Sequence, residues 1–247
     1  MKLIKQAVQK LLSFFGLALV RIHTFPSTSD SRSTTRAALE SLLKRDYQIN
    51  TVIDIGASDG RWSEAMMTQY PNTNYFLIEA QECHLQKLQE FVTRFKNANY
   101  VLAAAGAETG NIYFDAGNPF GGQASSTPFE KNNIVVPVTS VDVEVHKHAL
   151  KGPFLIKFDT HGYETPILKG ALKTLEETSV IIMECYLHRL TTDSLLFNEM
   201  CAYLDNLGFR CIDMVDPAWR TYDDTFWQMD LIFIKKDSPE FSHADYS

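Results

Sequence analysis

Short runs of β-branched and aromatic residues alternate with segments of helical periodicity from residue 51 onward. This alternation is typical of βαβ units, in which helices connect parallel strands and cover both faces of one sheet. It predicts an α/β fold with strands at 51–56, 74–80, 99–105, 111–115, 134–139, 154–159, 179–185, 210–215 and 227–235. The helices are predicted at 61–69, 84–96, 140–149, 165–177 and 194–207. The last strand follows a short turn-rich segment, which favours an antiparallel insertion.

The N-terminal region differs from the rest in charge. Its first 29 residues hold four basic side chains and no acid, so the remainder holds 19 basic and 30 acidic residues, a net charge of −11. The apolar run at 11–20 is shorter than the roughly 20 residues of a membrane-spanning helix, and no small-residue cleavage site follows it. We expect an amphipathic basic helix over residues 1–25, which either packs on the folded body or contacts an anionic membrane surface.

Residues 26–36 are rich in Ser and Thr and are predicted to form a polar linker, with a helix from about 34 to 46 and one folded domain over 37–247. The four cysteines show no C-x-x-C spacing, so neither a zinc site nor a disulfide framework is indicated, and a reducing cytoplasmic setting is expected. The net charge of −7 argues against a nucleic-acid partner held by phosphate contacts. With its N-terminal helix on a membrane, the protein would lie peripherally at the inner membrane surface.

A turn of small residues after the first predicted strand is the strongest functional signal. It consists of Asp54, Gly56, Ala57, Ser58 and Gly60, and it leads into a helix near residue 61. In open α/β sheets, ligands bind beyond the carboxyl ends of the strands, where turn and helix N–H groups face an anion. The second strand ends in Glu79-Ala80, and a carboxylate there can accept both hydroxyls of a ribose.

The placement of glycines distinguishes between the cofactors of this crevice. A dinucleotide fingerprint starting at Gly56 needs glycines where Ser58 and Arg61 stand, and the sequence has no P-loop motif. The turn instead suits S-adenosylmethionine, which carries a ribose, a carboxylate and cationic groups. Asp54 would orient the turn or attract the ammonium group. The alternative for this turn is an ordinary βα turn whose glycines only permit close packing. A further candidate for the protein is a dehydrogenase.

A second polar cluster follows the strand predicted at 154–159. Asp159 ends this strand and is followed by His161, and the next strand ends with Glu184 and then His188. If the strands are neighbours, Asp54, Asp159 and Glu184 point toward one crevice.

Several of these segments together resemble the FkbM family of S-adenosylmethionine-dependent methyltransferases. They are Asp54-Ile55-Gly56-Ala57, Glu79, Val138–Asp142, Leu155–Asp159, Gly162-x-Glu164 and Leu168–Ala171, and the resemblance covers roughly residues 48–236. It implies a Rossmann-like class I methyltransferase with a seven-stranded, mostly parallel sheet, an antiparallel last strand and helices on both faces. It also implies methylation of hydroxyl groups on sugars, polyketides or other small metabolites. Two positions depart from the family pattern: His161 replaces an acid, and Ala80 replaces a proline.

An alcohol acceptor must lose a proton, so the site needs a base. His161 is the first candidate because imidazole titrates near neutral pH, and Asp159 could orient it. Glu184 is a further catalytic candidate, with His188 behind it. Asp159 also lies where it can contact the cofactor. The spacing matches no recognised metal loop, so no resident metal is expected, although Asp159, His161 and Glu184 could together hold Mg²⁺ or Mn²⁺.

With what the family resemblance implies, the leading hypothesis is an O-methyltransferase that uses S-adenosylmethionine and acts on a hydroxyl of a small glycan or secondary metabolite. The rival hypothesis is a non-catalytic cofactor- or partner-binding module that has lost its base at His161. The Gly- and Ser-rich segment 115–126 is either a lid over the crevice or an ordinary loop. The aromatic residues of the segment 219–227 either contact the acceptor or belong to the core.

Overall fold

A computed structural model describes residues 32–245 of the chain. The basic helix expected over 1–25 and residues 26–31 of the expected linker lie outside the described residues. The first described helix, Thr35–Lys44, follows Thr34, whose side chain accepts a hydrogen bond from the backbone N–H of Ala37 as an N-cap. Within residues 32–245, no helix combines the length and the apolar character needed to cross a bilayer.

The described chain alternates strands and helices as its hydrophobic pattern predicts. The helices are α1 (Thr35–Lys44), α2 (Arg61–Met67), α3 (Leu85–Arg94), α4 (Val141–Lys147), α5 (Glu164–Lys169), α6 (Leu172–Glu176) and α7 (Phe197–Asn206). The strands are β1 (Thr51–Ile55), β2 (Asn74–Glu79), β3 (Ala98–Leu102), β4 (Ala104–Ala105), β5 (Gly110–Asp115), β6 (Gln123–Ser125), β7 (Asn133–Thr139), β8 (Phe154–Phe158), β9 (Thr178–Tyr186), β10 (Phe209–Trp219) and β11 (Phe226–Lys235). Short 3₁₀ turns lie at Glu82–His84 and Pro239–Phe241.

Seven strands form the main sheet in the order β10-β11-β9-β8-β1-β2-β3. All neighbouring pairs from β9 to β3 are parallel, whereas β11 runs antiparallel to both β9 and β10. The predicted seven-stranded sheet with an antiparallel last strand is therefore confirmed. The order reverses at β1, because β2 lies on one side of it and β8 on the other, and this reversal opens a crevice at the carboxyl ends of the strands.

Alternating side chains of the central strands divide the core into two layers. On one face, Ile53 and Ile156 belong to a buried cluster that includes side chains of α4 to α7. On the other face, Val52 and Leu155 belong to a cluster with side chains of α1 to α3. Both faces of the sheet are thus covered by helices, which explains why β1 and β8 are buried over their whole length.

Two predicted elements are interrupted in the structure. The strand predicted at 99–105 breaks at Ala103, whose N–H bonds to the carbonyl oxygen of Glu79 at 2.8 Å, and the chain then joins a second sheet of order β4-β7-β5-β6. The helix predicted at 165–177 divides into α5 and α6. The carboxylate of Asp142 in α4 accepts the backbone N–H groups of Lys173 and Thr174, so a side chain from another helix caps the first turn of α6.

Candidate active site

A cavity of about 500 Å³ opens at the carboxyl ends of the central strands. It has the size of a small-molecule site and lies at the reversal of strand order, as the sequence predicts. Most of the predicted site residues line this cavity: Gly56, Ala57, Ser58, Glu79, Ala80, Asp159, His161 and Glu184. The structure thus brings the turn after β1, the end of β2 and the ends of β8 and β9 together around one space.

The turn after β1 passes very close to the segment after β8. The N–H groups of Gly56 and Ala57 both bond to the carbonyl oxygen of Ile78, which fixes the turn against β2. Gly56 has a φ of +78°, and a Cβ placed on it would lie 1.9 Å from the backbone oxygen of Asp159. Only glycine fits this position, because a side chain would collide with backbone that cannot move aside.

Glu79 is anchored by two backbone donors beside this turn. Its Oε2 accepts the N–H of Ser58 and its Oε1 accepts the N–H of Gln81, both at 2.7 Å. Burial raises the pKa of the Glu79 carboxyl, although these hydrogen bonds and the nearby His84 oppose the shift. Each carboxylate oxygen has a second lone pair, so Glu79 keeps acceptor capacity for a ligand in the cavity.

Two residues expected to contact the cofactor lie behind the cavity wall. Asp54 is fully buried, and its Oδ2 accepts a hydrogen bond from the hydroxyl of Ser63 in α2 at 2.7 Å. Burial raises the pKa of Asp54, and the ammonium of Lys157, 4.0 Å from Oδ1, opposes that shift. Gly60 lies against Phe91 at the start of α2. Both positions hold the turn in place and do not line the cavity.

A buried lysine organises the polar end of the cavity. The Nζ of Lys157 lies 2.6 Å from Oδ2 of Asp159, and Lys157 is only 4% exposed. Burial alone would lower the pKa of Lys157, but the charges of Asp159 and Asp54 outweigh it and raise the pKa. Burial likewise works to raise the pKa of Asp159, and Lys157 reverses this and holds the pKa below its ordinary value. Asp159 is therefore ionised at neutral pH.

His161 lies between two carboxyl groups at this end of the cavity. Its Nε2 is 3.6 Å from Oδ1 of Asp159 and 3.8 Å from Oε2 of Glu184. Glu184 accepts hydrogen bonds from the hydroxyl of Tyr186 at Oε2 and from the amide of Gln228 at Oε1. Burial and the charge of Asp159 raise the pKa of Glu184 to about 9, so this carboxyl holds a proton at neutral pH.

Several polar residues that were not predicted from the sequence also line the cavity, and three of them lie at its polar end. Lys157, Gln228 and Asp230 all line the cavity, and Asp230 pairs in register with Glu184 across β9 and β11. Burial raises the pKa of Asp230 to about 6. The sequence does carry a sign of two of them, because Lys157 and Asp230 are charged residues within otherwise apolar strands. His188, by contrast, is outside the cavity wall, and its ring stacks on Trp227 at 5.2 Å.

The family of the chain follows from its match to a family model. Residues 54–211 match the family model described as the Methyltransferase FkbM domain, which is more than half of the chain. The chain belongs to the FkbM methyltransferase family. It is therefore an S-adenosylmethionine-dependent methyltransferase with a Rossmann-like fold, as the resemblance implied. No curated protein matches its sequence significantly.

Solved methyltransferase structures resemble this FkbM methyltransferase only distantly. The precorrin-6y C5,15-methyltransferase of Geobacter metallireducens has 16% identity and a TM-score of 0.45, with 85% of this chain and 93% of that chain covered. The 1,6-didemethyltoxoflavin-N1-methyltransferase of Burkholderia thailandensis has 10% identity and a TM-score of 0.47, covering 85% and 80%. Aeropyrum pernix fibrillarin, solved with S-adenosyl-L-methionine, has 12% identity and a TM-score of 0.45, covering 74% and 66%.

The residues of the cavity fit the cofactor of the family. Within the described chain, the buried Oγ of Ser58 has no hydrogen-bond partner, although the residue lines the cavity. An unsatisfied buried hydroxyl is costly, so a polar ligand at this place would relieve it. Glu79 next to it offers the acceptor lone pairs that ribose hydroxyls need. The turn at Gly56 and the carboxylate of Glu79 thus form a suitable nucleoside site.

The segment 115–126 forms the wall of the cavity beside Glu79. The amide of Gln81 donates hydrogen bonds to the carbonyl oxygens of Asn118 and Pro119, at 3.2 and 2.9 Å, and the ring of Phe120 lies 4.7 Å from the guanidinium of Arg61. Pro119, Phe120 and Gly122 line the cavity. The segment also contains β6, a three-residue strand that the sequence analysis did not predict.

Proposed function

We propose that this FkbM methyltransferase transfers a methyl group from S-adenosylmethionine to a hydroxyl group of a small glycan or secondary metabolite. The observation that carries the proposal is the convergence of Asp159, His161 and Glu184 at the end of the cavity, with His161 Nε2 within 4 Å of both carboxyl groups. Such a group is suited to binding a hydroxyl and taking part in the removal of its proton.

The need for proton removal favours a hydroxyl acceptor. An alcohol becomes a good nucleophile only as its proton leaves, and a positioned acid–base group contributes typically 10²–10⁴-fold to such a step. The imidazole of His161 and the carboxylate of Asp159 both line the cavity and offer acceptor atoms to a hydroxyl there. We therefore propose His161, Asp159 and Glu184 as the catalytic residues.

The donor would be held at the other residues of the cavity. We propose that the turn at Gly56, Ala57 and Ser58 holds the methionine part and that Glu79 accepts the ribose hydroxyls, with Ala80 and Asp159 beside the bound molecule. The bound cofactor supplies a methyl group activated by its positively charged sulfur. The protein residues align the acceptor with this group, and alignment of this kind supplies a large share of the rate enhancement.

The charge of the chain supports a small acceptor that is not a nucleic acid. The net charge is −7, which disfavours a partner held by contacts to a phosphate backbone. We propose a cytoplasmic location, and membrane contact through residues 1–25 remains part of the proposal.

The test is a methyl-transfer assay on the purified full chain with methyl-labelled S-adenosylmethionine and a panel of sugars, polyols, hydroxylated metabolites and RNA. His161→Ala should lower transfer by about 10²–10⁴-fold. Binding of S-adenosylhomocysteine should change less than threefold. His188→Ala is the matched control, because His188 lies outside the cavity wall, and it should leave both quantities unchanged.

Two results would contradict the proposal. Transfer to RNA alone would exclude the acceptor class. Cofactor binding without transfer to any acceptor would favour the rival hypothesis of a binding module.

A further inference from the structure

We propose that Asp159, His161 and Glu184 form a binding site for a divalent cation, with Mn²⁺ or Mg²⁺ as the fitting ions. The place of this cation in the reaction rests on the proposed function, since the same residues would receive the acceptor hydroxyl. The proposal makes His161 a ligand of the cation, in place of the free base that its position in the sequence suggests.

The spacing of the three side chains is the first support. One ligand atom from each residue lies within 4.8 Å of the others. The separations of His161 Nε2 from Asp159 Oδ1 and Glu184 Oε2, 3.6 and 3.8 Å, are too long for direct hydrogen bonds. Adjacent ligands of an octahedral ion with bonds of about 2.1 Å lie about 3 Å apart. Side-chain shifts of less than about 1 Å would therefore close these three atoms around an ion.

The groups behind the three ligands are the second, independent support. Lys157 bonds to Oδ2 of Asp159, and Gln228 bonds to Oε1 of Glu184. In each carboxyl group, these bonds fix the oxygen that lies away from His161. The other oxygen, Oδ1 of Asp159 or Oε2 of Glu184, faces His161. Tyr186 also donates to Oε2 of Glu184 at 2.5 Å, which leaves that oxygen a second lone pair. Outer partners that orient the ligands in this way are a regular feature of metal sites in proteins.

The charges at this end of the cavity also favour a cation. The carboxyl groups of Asp54, Asp159, Glu184 and Asp230 surround a single buried lysine, Lys157, which lies within 4.0 Å of Asp54 and Asp159. Glu184 holds a proton at neutral pH when no ion is bound, and a divalent ion would displace that proton and bind the carboxylate.

The donor set indicates the class of ion. Two carboxylates and one imidazole suit Mn²⁺, and the carboxylates also suit Mg²⁺. Three protein ligands leave about three of the six octahedral positions open. An acceptor hydroxyl bound at an open position would be more acidic, because a bound cation stabilises the oxygen as its proton leaves. The carboxylate of Asp230, which lines the same cavity and is not one of the three ligands, would accept that proton.

The experiment uses the full chain, freed of metal with a chelator and dialysed. Titration with Mn²⁺, followed by the paramagnetic resonance signal of the free ion, should show one site per chain. His161→Ala and Glu184→Gln should each weaken Mn²⁺ binding at least tenfold, and His188→Ala should leave it unchanged. Binding of S-adenosylhomocysteine, measured on every variant by calorimetry, shows that each variant is folded.

The outcomes separate this inference from the proposed function. No Mn²⁺ binding, Mn²⁺ binding that is equal in all variants, or methyl transfer at an undiminished rate after chelation would each overturn the cation site. Site-specific Mn²⁺ binding in a protein that methylates no hydroxyl acceptor would support the site and refute the proposed acceptor class.

Discussion

Replacing Gly56 by alanine tests the close approach on which the cofactor site depends. The new Cβ would lie 1.9 Å from the backbone oxygen of Asp159, at a φ of +78° that side chains rarely adopt. The obstacle is backbone and not the end of a flexible side chain, so the turn after β1 must separate from the segment after β8. The same movement would displace Ser58 and Asp159 from the cavity.

The expected loss in the free energy of unfolding has two parts, and a second variant, Gly208→Ala, distinguishes them. A left-handed conformation costs a non-glycine residue about 1–2 kcal/mol. Overpacking of a fixed site typically adds about 1–3 kcal/mol. Gly208 has a φ of +88°, and a Cβ there would meet nothing within 4 Å, so Gly208→Ala should show only the first part. Gly56→Ala should therefore lower the free energy of unfolding by about 2–5 kcal/mol in total.

Urea unfolding of both variants measures these costs, and calorimetry with S-adenosylhomocysteine measures the site. Gly56→Ala should be at least about 1 kcal/mol less stable than Gly208→Ala and should bind the ligand at least tenfold more weakly than the natural sequence. Gly208→Ala should bind it normally. Equal stability of the two variants, together with normal binding by Gly56→Ala, would refute the close approach.

Three further results are expected. Glu79→Gln should weaken S-adenosylhomocysteine binding about 10–100-fold in calorimetry, because it removes charge-assisted hydrogen bonds worth roughly 1.5–3 kcal/mol. The control Glu82→Gln, at an exposed position, should leave binding unchanged, and equal affinities of the two variants would contradict the ribose assignment. Asp142→Ala should lower the free energy of unfolding by about 0.5–2 kcal/mol in urea, since the cap of α6 is lost; an unchanged midpoint would argue against that cap. At pH 8, the exposed Cys83 should react with a disulfide reagent far faster than Cys211, because burial raises the pKa of Cys211 to about 11. Equal rates for the two cysteines in peptide mapping would show that Cys211 is accessible.

The main sheet could be predicted from the sequence because each of its central strands carries a long apolar run between clear turn residues. The meeting of Asp159 and Glu184 at one edge of the sheet also followed from the sequence, because both lie at the ends of parallel strands, whereas Asp54 lies behind the cavity wall. The two-residue strand β4 and the three-residue strand β6 are too short to show any periodicity. They form only because β5 and β7 provide paired edges for them.

The site was predictable to a lesser degree. Asp54 was expected to face the cofactor, but the alternation of side chains along β1 places it on the same face of the sheet as Val52. There it accepts a hydrogen bond from the hydroxyl of Ser63 in α2. Lys157 and Asp230 were missed because a single charge within an apolar strand acquires a meaning only when the neighbouring strands are known. Strand order, and not local pattern, places Lys157 opposite Asp54 and Asp230 opposite Glu184.

The most direct measurement is a crystal structure of the full chain with S-adenosylhomocysteine. We expect the nucleoside in the cavity, with its ribose hydroxyls bonded to the carboxylate of Glu79 and its amino-acid part at the turn of Gly56 and Ser58. A ligand bound elsewhere, or bound in the cavity with its ribose away from Glu79, would contradict the proposed cofactor site.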